Sequence, residues 1–325
     1  MRTLDLQGVA TPLSQAVLGT MTFGDTADEA TSRSMVDAAL DAGVTAIDTA
    51  NGYAGTRSET IVGAAIRGRR DKIVLATKAG IYGGDAEGAP LLSPAGLRSS
   101  LTASLKRLDV GDVDVFYLHQ PDRTVPIGET LGALGELIDE GLIRAYGVSN
   151  YAAWQVGDIL RAADDLGVPR PVLSQQMYSL VGRRIEAEYS EFAVTANVPT
   201  IVYNPLGGGL LSGRHHPGEQ PSAGRFGTSS LSAMYRERYW KDTLLQAVSQ
   251  LADVAAAAGI GVPELALRWL LAKPVVSAIL IGASKLEHLR ANLAAIERGP
   301  LPADVVERCD EIGEAIAGPM PAYNR

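Results

Sequence analysis

Eight short runs of β-branched and other apolar residues recur along this chain, and a longer segment with helical spacing follows most of them. The runs occupy residues 16–21, 45–49, 73–77, 113–118, 143–148, 172–177, 200–203 and 277–281. Between them, apolar residues return every three to four positions over 29–42, 58–68, 96–108, 127–140, 152–166 and 185–196, as expected for helices that bury one face. Ser93 and Pro94 open one such segment as an N-cap and a first-turn proline. A strand-then-helix unit repeated eight times predicts an α/β fold, a parallel (β/α)8 TIM barrel rather than an open sheet. Continuously apolar strands fit a sheet covered on both faces.

Two segments break this rhythm. Residues 205–240 separate the seventh strand from its helix and are rich in Gly, Ser and Arg, and a loop of that length is usually functional. After an eighth helix over 285–297, the chain continues into a further helix over 303–315 and an irregular tail, GPMPAYNR. All 325 residues are expected to form one barrel domain, 1–325. A formal charge of -8 without long basic runs argues against nucleic-acid or anionic-membrane partners. The N-terminus lacks the basic and apolar regions of a signal peptide, and no 18-residue apolar stretch occurs, so a cytoplasmic protein is expected. The single cysteine, Cys309, excludes an intrachain disulfide.

Four residues in the strand-to-helix halves of these units carry matched chemistry: Asp48 and Tyr53 in AIDTANGY, Lys78 in IVLATKAG and His119 in VDVFYLHQPD. Singly, each has an ordinary reading as a loop cap, a packed ring, a solvated charge or a core histidine. A barrel brings its C-terminal strand ends to one mouth, so the four are expected to meet there. A phenol has a pKa of about 10; a nearby ammonium favours the phenolate, a carboxylate holds the ammonium charged, and a histidine orients an approaching oxygen. Together they suit protonation of a carbonyl oxygen.

The chain resembles the aldo-keto reductase superfamily over nearly its whole length, and within it the aflatoxin aldehyde reductase group. The resemblance rests on VLGTMTFG, IDTANGYAGTRSETIVG, GVSNYAAWQV, SQQMYSLVGR, YNPLGGGLLSG, SKLEHLRANLAAIERGPL, a terminal YNR and, most specifically, the insertion AGRFGTSSLSAMYRERYWKD. It implies an oxidoreductase in which hydride passes from a reduced nicotinamide to an aldehyde or ketone carbon. Tyr53 would donate the proton, Lys78 and Asp48 would tune it, and His119 would orient the carbonyl. No metal is implied, and the adjacent His215 and His216 read as solvated.

No G-x-G-x-x-G follows an early strand, which disfavours a Rossmann site. By resemblance, Ser149, Asn150 and Gln175 bind the nicotinamide carboxamide and Tyr203 stacks on the ring. Asn204, Leu206, Gly208, Gly213 and Arg214 belong to the segment that meets the pyrophosphate, where glycines permit close approach. Gly282, Ser284, Lys285, His288 and Asn292 hold the adenosine half, with Ser284 and Lys285 placed to meet a 2′-phosphate at a helix N-terminus. The implied cofactor is therefore NADPH/NADP+. His288 stands where glutamine or arginine is usual, and Ala291 where glutamate commonly holds the adenine.

Met21, Tyr82 and Tyr178 are expected pocket walls, with Arg225, Tyr235, Tyr323 and Arg325 contributed by the insertion and the tail. The group's pattern implies that Arg225 and Arg325 clamp a carboxylate, selecting small-molecule carbonyl substrates that bear an acid group, such as succinic semialdehyde. It also implies a homodimer, although no exposed apolar stripe in the sequence demands one. Two other functions stay open: a cofactor-sensing regulatory module of the potassium-channel β-subunit type, and a sugar or secondary-metabolite ketoreductase.

Overall fold

Side chains of a strand alternate between the two faces of its sheet, so a closed barrel sorts each strand into residues that fill its interior and residues that meet the surrounding helices. The computed structural model, which describes residues 1–215, 218, 221 and 224–318, shows both sets. Eight parallel strands close the barrel: β3 (Ala16–Gly19), β4 (Ala46–Asp48), β5 (Val74–Ala79), β6 (Val113–Leu118), β7 (Ile143–Ser149), β8 (Leu173–Met177), β9 (Thr200–Tyr203) and β10 (Val276–Ile281), with β10 returning to pair with β3. Val17, Ala46, Ala76, Tyr117, Leu173 and Ile201 belong to the interior cluster. Leu18, Ile47, Leu75, Phe116, Val148 and Val202 belong to the larger cluster packed under the helices.

A short hairpin absent from the sequence expectation, β1 (Thr3–Leu4) and β2 (Leu13–Ser14), precedes the barrel. Leu6 and Leu13 pack with the interior cluster, so the hairpin plugs the end of the barrel opposite the mouth. The outer helices are α1 (Glu29–Asp41), α2 (Arg57–Ile66), α3 (Pro94–Leu108), α4 (Ile127–Asp139), α5 (Ala153–Leu166), α6 (Tyr189–Thr195), α7 (Ser232–Tyr239), α8 (Asp242–Ala257), α9 (Val262–Leu271), α10 (Leu286–Glu297) and α11 (Ala303–Ala317). Ser93 caps α3, its hydroxyl accepting the Gly96 amide at 3.2 Å. The helix expected over 185–196 is divided, because Glu188 leaves the helical region (φ −154°, ψ −49°) between a 3₁₀ turn and α6. The segment expected over 58–68 ends at Ile66, where Arg67 turns extended (φ −54°, ψ 126°).

The long insertion after β9 holds 3₁₀ turns at Gly207–Ser212 and Gly224–Phe226, then α7. It reaches across the barrel mouth: the Ser229 and Ser230 hydroxyls donate to Asp25 at 3.1 and 3.3 Å, on the loop after β3. Among the described residues no single helix is long and apolar enough to cross a membrane.

Gly147 on β7 shows how tightly the interior is filled. A Cβ there would lie 2.5 Å from the Tyr117 ring and 2.9 Å from the Leu173 carbonyl oxygen, so the absent side chain is what lets Tyr117 span the barrel. Gly147→Ala is expected to lower the stability measured by urea unfolding by about 1–3 kcal/mol; an unchanged midpoint would mean that the ring can move aside.

Candidate active site

The same period-two phase that fills the barrel delivers its polar residues to the mouth. Asp48 lies two residues past Ala46, Lys78 past Ala76, His119 past Tyr117, Gln175 past Leu173 and Tyr203 past Ile201, and each of those predecessors faces inward. The His119 amide still donates to the Ala79 carbonyl at 2.8 Å, which carries the strand phase one residue beyond β6. Tyr53 arrives differently. After a turn closed by its amide on the Ala50 carbonyl at 3.1 Å, Ala54, Gly55 and Thr56 all adopt left-handed backbone (φ 51°, 62° and 75°) and reverse the chain into α2.

Lys78 is the centre of the arrangement. An ammonium has three protons to donate, and here they meet Asp48 Oδ1, the Thr49 carbonyl at 2.7 Å and the Tyr53 hydroxyl oxygen at 3.4 Å. The other Asp48 oxygen accepts from Gln175 Nε2 at 2.9 Å. Because Tyr53 accepts from Lys78, its own proton points away from the lysine. The His119 ring stands edge-on to Tyr53 with centroids 5.9 Å apart, and its Nδ1 is buried without a hydrogen-bond partner among the described residues.

Burial works against the Lys78 charge, yet Asp48 and then Tyr53 carry the ammonium above its ordinary range. Loss of water around the Tyr53 hydroxyl raises it above the usual phenol value, and the opposing pull of Lys78 does not cancel that. The sequence suggested a phenol made more acidic; the resting protein instead keeps Tyr53 firmly protonated. Burial, aided by the Lys78 charge, pushes His119 down to about 3, so the imidazole is neutral at physiological pH.

The residues assigned to a nicotinamide join one another. Ser149 Oγ donates to the Gln175 carbonyl at 3.0 Å, Asn150 Nδ2 to Ser149 Oγ at 3.1 Å and to the His119 carbonyl at 2.9 Å, and the Tyr203 hydroxyl to Asn150 Oδ1 at 2.6 Å. Asn150 and Asn204 sit at strand ends in left-handed backbone (φ 65° and 55°), which asparagine tolerates better than most residues. Along the next segment Gly208 faces the Tyr235 ring, where a Cβ would come within 2.5 Å. Leu206 is half-buried against the core, and Gly213 ends the turn in left-handed backbone (φ 74°). The charge of Arg214 is felt at His288, which burial first and Arg214 next push below its ordinary value; the two segments therefore converge. Lys285 lies 3.7 Å from Glu287 and His288 3.8 Å from the same carboxylate, and Asn292 is buried. A cavity of about 690 Å3 opens between residues 24–31 and the start of α2, and it reaches this region through Ser284.

Several expected substrate residues lie elsewhere. Tyr178 is in the core outside the barrel, 5.2 Å from the Trp269 ring with its hydroxyl on Glu186. Strand phase excludes it, since Gln175 and Met177 point inward and Tyr178 must point out. Arg225 sits among the cofactor-assigned residues: Nη1 donates to Asn204 Oδ1 at 3.1 Å and to the Tyr235 hydroxyl at 3.0 Å, and Nη2 is 3.9 Å from where a Gly282 Cβ would stand. It makes no ion pair among the described residues. Met21 is half-buried after β3, and Tyr82 is exposed over Gly52, beside Tyr53. Arg325 and Tyr323 lie outside the described residues. Met177 and Arg238 were not anticipated: Met177 Sδ accepts from the Tyr239 hydroxyl at 3.1 Å and lies 3.9 Å from Arg238 Nη1. Met177 shares the inward phase, but nothing local to the sequence places Arg238. No cluster of three metal-binding side chains occurs among the described residues.

The family model of the aldo/keto reductase family matches residues 16–314. Human aflatoxin B1 aldehyde reductase member 2 is 36% identical over 340 aligned positions, covering 100% of this chain and 93% of that protein. Human aflatoxin B1 aldehyde reductase member 4 is 37% identical over 323 positions, 94% of this chain and 96% of that protein. A probable voltage-gated potassium channel subunit beta from Arabidopsis thaliana is 33% identical over 300 positions, 91% and 90% of the two chains.

Removing one member of a buried ion pair leaves the other uncompensated. Lys78→Met is expected to destabilise the fold by about 3–5 kcal/mol in urea, with Asp48→Asn in the same background recovering part of the loss. The depressed His119 value gives a pH signature. The unfolded chain binds a proton near 6.5 that the folded one refuses until about 3, so this contribution to stability is full above 6.5 and is lost as pH falls. Replacing His119 by Gln should flatten that part of the stability-pH curve, and an unchanged slope would refute a neutral His119.

Proposed function

As the chain belongs to the aldo/keto reductase family and is an oxidoreductase, we propose that it reduces aldehydes or ketones with NADPH, Tyr53 delivering the proton to the carbonyl oxygen. The observation that carries this reading is the Lys78 ammonium bonded at once to Asp48 and to the Tyr53 hydroxyl oxygen. The chain's residues fit a dinucleotide on three counts. His119 Nδ1 is an unpartnered polar atom beside Tyr53, Gly208 and Gly282 leave backbone open where a Cβ would meet Tyr235 or the Gly19 carbonyl, and Arg214 and Arg225 make no ion pair among the described residues. Ser149, Asn150 and Tyr203 would hold the nicotinamide end, Arg214 and Arg225 the phosphates, and Ser284, Lys285, His288 and Asn292 the adenosine. When bound, a reduced nicotinamide supplies the hydride.

What remains is the work of the side chains. A neutral His119 offers a hydrogen bond to the carbonyl oxygen without acting as a competing acid. Tyr53, kept protonated, gives its proton as negative charge develops on that oxygen, and the phenolate left behind is held by Lys78. Asp48 keeps Lys78 charged and in place throughout.

The preferred substrates are aldehydes bearing a carboxylate or a second carbonyl. Support comes from the aldehyde reductases among the relatives and from Arg238, a cation of the insertion beside Met177 without an acid partner among the described residues. Arg325 belongs to the same reading. A regulatory, cofactor-sensing role is the second reading, favoured by the likeness to the channel β subunit.

Steady-state oxidation of NADPH and NADH against a panel of acidic and neutral aldehydes separates these readings. NADPH-dependent turnover is expected, with Tyr53→Phe lowering kcat by roughly 10²–10⁴, and with the reductive rate not falling on the Tyr53 side until pH passes the ordinary phenol value of 10. Deleting Arg325 should harm acidic aldehydes more than neutral ones, and equal losses would remove it from substrate recognition. Tight NADPH binding without Tyr53-dependent turnover would establish the sensor instead.

A further inference from the structure

A closed circuit of hydrogen bonds runs through the loop that presents Tyr53. Thr77 Oγ1 donates to Glu59 Oε1 at 2.5 Å, and Arg107 Nε donates to Glu59 Oε2 at 2.7 Å. The two remaining Arg107 nitrogens donate to both Asp85 oxygens, at 2.9 and 2.7 Å. Asn51 Nδ2 donates to Asp85 Oδ2 at 3.2 Å, and the Asn51 amide donates to the Lys78 carbonyl at 3.2 Å. Lys78 follows Thr77, so the circuit closes. It joins β5, α2, α3 and the segment after β5 to the residues that flank the Tyr53–Lys78 contact.

The ring is buried and charged. Thr77, Glu59 and Asn51 are inaccessible to solvent, and the Arg107 side chain retains 18% exposure and that of Asp85 10%. One bidentate guanidinium serves two carboxylates, an expensive way to tie α2 to α3 if tying helices were its only task, since apolar packing would do as well. Its geometry bears on the chemistry. Asn51 lies three residues after Asp48 and two before Tyr53, Gly52 is pressed against the Tyr82 Cβ (2.7 Å from a notional Cβ), and the Lys78 to Tyr53 bond at 3.4 Å is near the limit of hydrogen-bond reach. A small shift of the loop would break that bond.

We propose that Arg107 and Asp85 are positioning residues for proton transfer: through Asn51 they hold the Tyr53 loop against β5 and keep the Tyr53 hydroxyl within reach of Lys78. The proposal rests on the reading of Tyr53 as the proton donor. Neither residue touches the reacting atoms, and both act at one remove, through Asn51.

The test uses the full chain with Arg107→Met, Asp85→Asn and Arg107→Lys. Arg98, on the same helix and bidentate to Glu140 at the surface, supplies the control Arg98→Met. Arg107→Met and Asp85→Asn are expected to lower kcat about tenfold, as loss of alignment does, while KM for NADPH stays within about twofold. The alkaline limb of the kcat-pH profile should move upward, because a phenolate farther from Lys78 is less stabilised. Arg107→Lys should restore part of the rate, and Arg98→Met should change nothing. Amide hydrogen exchange over residues 49–57, measured without cofactor, should quicken in the two loss variants.

Folded variants with wild-type kcat, pH profile and exchange would overturn the proposal and leave the ring a brace between helices. A loss of stability alone would do the same. If Arg107→Met does not fold, Asp85→Asn decides, since it keeps the side-chain volume while removing the charge and one of the two acceptors that Arg107 and Asn51 share. If wild-type protein shows no Tyr53-dependent turnover, the functional reading fails, and the exchange measurement still decides whether the ring holds the loop.

Discussion

The Asp48–Lys78 pair is the constraint around which the mouth of this barrel is built. Both side chains are essentially removed from solvent, at 2% and 0% exposure, and several kcal/mol of hydration are lost per ion on such burial. That loss is offset only where every donor and acceptor is satisfied. Lys78 spends its three protons on Asp48, the Thr49 carbonyl and Tyr53, and Asp48 spends its second oxygen on Gln175. The pair therefore dictates three neighbours at once, Thr49, Tyr53 and Gln175. Tyr53 is turned to accept from Lys78, and the Gln175 side-chain amide is turned to donate to Asp48.

This last point alters the expected division of labour. Gln175 was assigned to a nicotinamide carboxamide, but its amide nitrogen already serves Asp48, while its carbonyl in the backbone receives Ser149. Asn150 likewise has both ends of its amide engaged, by Tyr203 on one side and by Ser149 and His119 on the other. The strand ends thus form a connected belt from Asp48 to Tyr203 before any ligand arrives, and such prior ordering lowers the entropy lost on binding. Arg225 moves in the opposite sense, from the substrate side to the Asn204–Gly282 side of the mouth.

Much of this was legible in the chain because it depends on local periodicity. Eight apolar runs became the eight barrel strands with boundaries shifted by a few residues, and the Ser93 cap and Gly-rich turn behaved as their residue types require. Strict alternation from Leu173 and Val115 also turns Met177 and Tyr117 inward and Tyr178 outward. Other features rest on pairings between distant segments. Glu59 and Arg107 are separated by 48 positions, Asp25 and Ser229 by 204, and no spacing rule connects them. The N-terminal hairpin is illegible for a different reason: its two-residue strands carry too little alternation to register.

The strongest argument for chemistry over mere binding lies in what the barrel gives up to keep Lys78. An interior of Val, Ala, Ile and Tyr already fills the lower layers, and apolar residues of similar volume in place of a buried ion pair are often neutral or stabilising. A module that only needed to hold a dinucleotide would gain from that exchange at positions 48 and 78, because neither side chain is exposed enough to be a main contact for a bulky ligand. The charge is instead spent on one hydroxyl. Burial raises the Tyr53 pKa and Lys78 opposes it, so the phenol is proton-loaded at rest while its conjugate base has a cation waiting. That pairing stabilises the state after proton loss more than the state before it, which is the differential required of a catalyst and of no use to a receptor.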